Sequence, residues 1–286
     1  MNEAIELKFA QANSFLRAGQ YKKAQEVLEA IIETHPEQCD VLLNLGIAYA
    51  QNHQLDLAIG LFEKVIQVNP QHLGAHYNLG LAHSLKKDHV QSLHIYQQAL
   101  EHHPNNSDLL INLGATLIDL KRYEEALVVC NQSIQINPKQ QIAWVNKAFV
   151  LDQLQRYEEA ISAYQIILQM DPSDMRSMRN CGIAFYENAQ AHLALGLLET
   201  VAKKLSSDAI NWCYLGLSHY QLGNIDHAIL ALQNSLKLDP HNQEVHQHLG
   251  RCLLKLGQFH NGLQAISRST GSITFNLKDF KAYINE

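Results

Sequence analysis

Six prolines punctuate the chain on one beat: Pro36, Pro70, Pro104, Pro138, Pro172 and Pro240. Four successive intervals are 34 residues and the last is 68, so the beat is missed once, at Ser206. A single globular core, with helices and loops of unequal length, does not generate such a period. One supersecondary unit is copied along the chain, and each copy buries its apolar face only by stacking on the next. The 286 residues therefore read as a one-dimensional array rather than as two globular domains. Function is then expected on a repeated surface and not in a catalytic pocket.

With each proline set at position 32 of a 34-residue unit, the units begin at Ile5, Cys39, Leu73, Ser107, Gln141, Met175, Ala209 and Gln243. Position 8 is always small: Ala12, Gly46, Gly80, Gly114, Ala148, Gly182, Gly216 and Gly250. So is position 20, which runs Ala24, Ala58, Ser92, Ala126, Ala160, Ala194, Ala228 and Gly262. Glycine inside a helix costs up to ~1 kcal/mol against alanine, so its repetition needs a packing reason. Two antiparallel helices that approach closely where these columns meet supply one. Larger apolar residues flank the columns at helical spacing, as in Leu42, Leu45 and Tyr49, then Leu55, Phe62 and Val65. Gly19, Gly223 and Gly257 share position 15, where a left-handed residue stops the first helix. Proline closes the second helix, because it lacks an N–H and drives the preceding residue out of the α region.

These columns resemble the tetratricopeptide repeat family over residues 5 to about 269, and Tyr123-Glu124-Glu125-Ala126 and Tyr157-Glu158-Glu159-Ala160 lie close to the family pattern. The resemblance implies an all-α, right-handed superhelix of about eight helix-turn-helix repeats, with first helices lining a concave groove. It sets residues 1–270 as the array. The first unit departs from the pattern with Lys8 and Gln11 on the seam, as suits a terminal unit facing water. Ser206-Ser207-Asp208 replaces a proline turn, and a looser or re-angled join is expected there. Residues 271–286 leave the repeat. Ile273, Phe275 and Leu277 alternate like a strand, and Phe280, Tyr283 and Ile284 fall at helical spacing. That tail reads either as a cap or as the start of a truncated domain.

Position 6 carries Asn44, Asn78, Asn112, Asn146 and Asn180 in five consecutive units, followed by Tyr214 and His248. Asparagine is a poor helix former because its amide competes with the backbone, and it adds little to an apolar seam. The family resemblance points this position into the groove. A primary amide offers a donor and an acceptor, the same pair as a peptide unit. Packed helices lie roughly 8–10 Å apart and an extended chain advances about 3.3 Å per residue, so successive amides meet a bound strand at about every third residue. Asn44-Leu45-Gly46, Asn78-Leu79-Gly80 and Asn112-Leu113-Gly114 are similar to the asparagine-lined array of O-linked N-acetylglucosamine transferases. The competing reading makes these asparagines ordinary consensus residues that bond to neighbouring helices. Tyr77, Phe149, Arg179 and Tyr186 stand beside the column and are expected to tune side-chain pockets.

Composition narrows the partner. With 22 basic against 28 acidic residues and no basic stripe, nucleic acid and anionic membrane are not expected. Five cysteines without Cys-x-x-Cys spacing and an N-terminus lacking a signal-peptide pattern favour a reduced, cytoplasmic protein. Only Arg176 with Asn180 fits the basic clamp by which co-chaperones of the family hold a C-terminal carboxylate, with Arg179 beside them to hold one locally. The sixteen histidines are scattered, phosphate-loop and nucleophile-elbow motifs are missing, and the repeats use nearly the whole chain. No enzyme, cofactor or metal is expected. The chain reads as a monomeric or weakly self-associating module that binds extended protein segments. The alternatives are the substrate-presenting arm of a larger transferase and a self-assembling scaffold.

Overall fold

The computed structural model describes residues 3–270, together with the backbone of residues 273–276 and 281–284. Among these residues are sixteen α-helices in eight consecutive pairs and one two-stranded sheet. The chain divides into two compact units, Met1–Val150 and Leu151–Glu286. The first unit contains α1 (Glu3–Arg17), α2 (Tyr21–Ile32), α3 (Cys39–Gln51), α4 (Leu55–Val68), α5 (Leu73–Leu85), α6 (His89–His102), α7 (Ser107–Asp119) and α8 (Tyr123–Ile136). The division falls within α9 (Gln141–Gln153). The second unit contains α10 (Tyr157–Met170), α11 (Met175–Glu187), α12 (Ala191–Lys204), α13 (Ala209–Gln221), α14 (Ile225–Leu238), α15 (Gln243–Lys255) and α16 (Phe259–Thr270). None of the described helices is long and apolar enough to cross a membrane.

No single core forms. In the first unit one cluster joins Ala12, Ala24, Leu28, Val41 and Leu45 across α1, α2 and α3, and another joins Phe62, Leu79 and Ile95 across α4, α5 and α6. In the second, Ala228, Leu232, Val245 and Leu249 join α14 to α15. Each cluster is shared between one helix pair and the next, so neighbouring pairs stabilise each other and distant ones do not. First helices also touch first helices, α3 with α5 and α5 with α7 in one unit, α11 with α13 and α13 with α15 in the other.

The small columns sit where the backbones of a pair come together. A Cβ added at Gly250 would lie 2.8 Å from the carbonyl oxygen of Gly262, so positions 8 and 20 meet as the sequence suggests. A second cause was not legible in the columns themselves. The large residue at position 24 lies across the position 8 glycine, so that a Cβ on Gly46 would stand 2.5 Å from Phe62 and one on Gly80 would stand 2.6 Å from Tyr96. The seam is therefore a large side chain laid on bare backbone.

The turn inside each pair is equally uniform. Gly19, Gly223 and Gly257 have φ of 69°, 82° and 75°, as expected of glycine at position 15. The other five occupants of that position, His53, Lys87, Lys121, Gln155 and Ala189, adopt φ between 57° and 63° as well. A side chain in that region costs of order 1 kcal/mol, so the closure of the helix pair overrides local preference.

Between pairs, the residue before the proline is extended, with φ of −133° at Asn69, −135° at Asn137 and −136° at Asp171. Leu205, before Ser206, takes −130° and closes the same bond to Val201. The looser join expected at Ser206 is not found in this local geometry: the residue before it keeps the extended φ and the bond found before the prolines. A second device repeats here. In four of the eight units position 4 carries a ring N–H that reaches back six residues to the position 32 carbonyl: His76 to Pro70 (2.8 Å), Trp144 to Pro138 (2.9 Å), Trp212 to Ser206 (2.9 Å) and His246 to Pro240 (3.0 Å).

In the tail, β1 (Ile273–Asn276) pairs antiparallel with β2 (Lys281–Ile284), Ile273 opposite Ile284. Helical spacing at Tyr283 and Ile284 was misleading, since both belong to a strand; Leu277 and Phe280 lie outside the described residues.

Candidate functional site

The asparagine column is carried by the first helices, with Asn44 on α3, Asn78 on α5, Asn112 on α7 and Asn146 on α9, all half-buried. Their hydrogen bonds differ from one repeat to the next. Asn44 Nδ2 donates to Asn13 Oδ1 at 2.7 Å, one repeat back. Asn78 Nδ2 donates to the Gly74 carbonyl at 2.7 Å, inside its own helix. Asn112 and Asn146 keep buried Nδ2 groups with no partner among the described residues. Beside them, Phe149 is 40% exposed and Leu81 38% exposed, while Tyr77 is half-buried. This face of the first unit thus combines amides with exposed apolar side chains.

The face built by α11, α13 and α15 has another chemistry. Asn180 Oδ1 accepts from Arg179 Nε and Nη2, each at 3.1 Å, and Arg179 Nη1 donates to Asp208 at 2.8 Å. Asp208 is nearly buried and also caps α13 through the Asn211 N–H. The carboxylate that Arg179 was expected to hold is therefore one of the chain's own. At the next two steps of the column stand Tyr214 and His248. Tyr186 meets Tyr214 edge-on, ring centroids 5.5 Å apart. Burial, then the nearby Glu187, raises the Tyr214 hydroxyl pKa. Burial lowers His248, assisted by Arg251.

Asp152, near the end of α9, is a half-buried acid. Its Oδ2 accepts from the Tyr164 hydroxyl at 2.5 Å, while Oδ1 is buried without a partner. Burial pushes its carboxyl up to about 6, with the Tyr164 bond opposing and Glu187 adding to the rise. The thiols of Cys130, Cys181 and Cys213 are pushed up to about 12 by burial, which leaves them protonated and poorly nucleophilic at neutral pH. No three His, Cys, Asp or Glu side chains converge among the described residues.

Family models described as tetratricopeptide repeat match residues 9–67 and 117–180. A model described as anaphase-promoting complex, cyclosome, subunit 3, matches twice, over residues 51–133 and 186–269, together more than half of the chain. The match in two copies follows the repeat rather than a whole partner protein. The chain belongs to the tetratricopeptide repeat family. No curated protein matches the sequence. A tetratricopeptide repeat protein from Parabacteroides merdae superposes with a TM-score of 0.63 at 16% identity, covering 88% of this chain and 100% of that one. Pseudomonas aeruginosa pilF gives 0.64 at 17% identity, covering 73% and 96%. YrrB, described as a TPR protein with an unusual peptide-binding site, gives 0.58 at 19% identity, covering 65% and 96%. At these identities the likeness is one of fold.

Within this tetratricopeptide array, sequence reasoning found the column but not its bonding. Asp152 and Tyr186 both stand at position 12 of their units. What was missed is the link from Asp152 to Tyr164, twelve residues away on the next helix. Position 24 looks like a packing position, and nothing in the repeat pattern shows that this tyrosine ends at a carboxylate.

Proposed function

We propose that this protein is a protein-interaction module in which the first-helix face of residues 1–150 seats an extended segment of a partner chain on Asn44, Asn78, Asn112 and Asn146. The observation that carries this reading is the lack of a common structural role for one repeated residue. Where a ring stands at position 4, in four of the eight units, it makes the same bond to the position 32 carbonyl every time. The asparagines bond a neighbouring repeat, their own helix, or nothing. What they share is an amide at the same place on successive first helices, which suits the alternating N–H and C=O of a peptide. Exposed Leu81 and Phe149 supply apolar contact beside it. Asn180 and Arg179 already bond each other, so the ladder rests on the four asparagines of the first unit, and Tyr186 tunes the separate tyrosine face.

The test is a peptide-display library panned on the wild-type chain, with the selected peptides measured on the Asn112→Ala/Asn146→Ala variant. Binding is expected to weaken about tenfold, roughly 1.4 kcal/mol. Thermal stability should be nearly unchanged, because removing an unsatisfied buried donor costs little. Equal binding by every selected peptide, or early unfolding of the variant, overturns the reading.

A further inference from the structure

A second surface lies between the second helices of the last two repeats. α14 and α16 form the walls and α15 the floor of a cavity of about 880 Å³. The same inter-repeat groove between α6, α7 and α8 encloses about 400 Å³ and has no charged residue in its lining. At the C-terminal position the groove is both larger and basic. Lys237 from α14, His241 from the connecting turn and Arg268 from α16 line it, and no carboxylate does. In a chain of net charge −6 this is a local reversal of sign. Lys237 Nζ donates to Asn234 Oδ1 at 2.9 Å, and neither Lys237 nor Arg268 forms an ion pair among the described residues.

The rest of the lining narrows the ligand. Gln258, Asn261 and Gln264 offer amide donors and acceptors of the kind that match a main chain, above an apolar floor of Leu249 and Leu253. No Phe, Tyr or Trp lines the cavity to stack a base. His246 also lines it, is only 8% exposed and is fixed through Nε2 to the Pro240 carbonyl, while its Nδ1 is buried without a partner. The volume lies within the range of sites that enclose small ligands and short peptide segments.

We propose that this cavity binds an acidic peptide segment, with a carboxylate side chain held between Lys237 and Arg268 and the adjoining main chain on the amide side chains. The site is independent of the asparagine ladder. It is tested on the full chain by fluorescence anisotropy with labelled pentaglutamate and pentaglutamine peptides. Pentaglutamate should bind at least tenfold more tightly, with affinity falling as salt rises. Lys237→Ala/Arg268→Ala should lose at least tenfold, and Asn112→Ala/Asn146→Ala should bind like wild type. Both basic side chains are exposed, so their removal should leave the melting temperature in place, and Lys237→Glu/Arg268→Glu should prefer pentalysine. Equal affinity for the two peptides, a double alanine variant within twofold of wild type, or displacement by inorganic phosphate as effective as by peptide would each overturn the proposal.

Discussion

Replacing Gly80 with alanine should destabilise the array, whereas the same replacement at Gly114, one repeat later, should stabilise it. Both residues occupy position 8, both lie mid-helix, and both gain about 0.5–1 kcal/mol of helix propensity on becoming alanine. They differ in what the new methyl group meets. At Gly80 it lies 2.6 Å from two ring carbons of Tyr96, a side chain that is 1% exposed and has no room to retreat. Overpacking of this kind costs about 1–3 kcal/mol, so the net effect is a loss of roughly 1 kcal/mol. At Gly114 the nearest atom is Cys130 Sγ at 3.4 Å, an ordinary contact, and the propensity gain survives. The two variants should therefore differ by about 1.5–2 kcal/mol. Repeat arrays do not always unfold in one step, so urea midpoints should be paired with hydrogen exchange of the α5–α6 and α7–α8 amides. Adding Tyr96→Cys to Gly80→Ala should cost less than the sum of the single changes. If both alanine variants shift stability in the same direction, the account of the seam as a large residue on bare backbone is wrong.

Ala189→Gly should raise stability by about 0.5–1 kcal/mol, because relief of the left-handed strain at φ 58° exceeds the entropy glycine adds to the unfolded chain; a urea titration measures it. Trp212→Phe should cost about 1 kcal/mol by removing the 2.9 Å bond to the Ser206 carbonyl, read from hydrogen exchange in α12 and α13. Asp152 should make the fold less stable as pH rises. Burial pushes its folded carboxyl up to about 6, above the ordinary aspartate range of about 4, so the native state binds more protons across that interval and this contribution is lost between pH 4 and 6. Asp152→Asn should flatten the decline by roughly 1–3 kcal/mol between those pH values, and a steeper decline in the variant would contradict the buried carboxyl as its source.

What could be read from the chain in advance is what the backbone dictates. Small residues at positions 8 and 20 appear in the sequence because the helices touch there, and prolines appear because a turn recurs. The reading stopped where several residue types satisfy one geometry. Left-handed turns at Lys87 and Gln155 carry no glycine to announce them, since the surrounding helix pair imposes the conformation. Ser206 suggested a break, but Leu205 before it keeps the extended φ found before the prolines, so the turn recurs without one. In the tail, Tyr283 and Ile284 satisfied a helical spacing over too few residues to distinguish it from the strand they form. The asparagines were visible as a column, yet their bonds depend on neighbours one repeat away, such as Asn13, which a single-repeat pattern does not contain.

The two faces formed by first helices show why a repeat can keep its fold while its chemistry drifts. Position 6 changes from asparagine to Tyr214 and His248, with acids such as Glu187 beside them, while position 8 stays glycine at Gly216 and Gly250. A Cβ at Gly216 would stand 2.7 Å from Leu232, so that position has no freedom. The position 6 asparagines are half-buried, and their hydrogen bonds differ from one repeat to the next. On the proposed reading, an amide ladder would ask little of a ligand's side chains, whereas a face of tyrosines and carboxylates would favour cationic ones through charge and ring contact. Peptides that seat on the asparagine face should accordingly lose affinity on Asn112→Ala/Asn146→Ala whatever their charge. Any that instead weaken on Tyr186→Ala/Glu187→Gln should be enriched in lysine and arginine. A pool of selected peptides sensitive to the second pair but free of basic residues would refute this separation of the two faces.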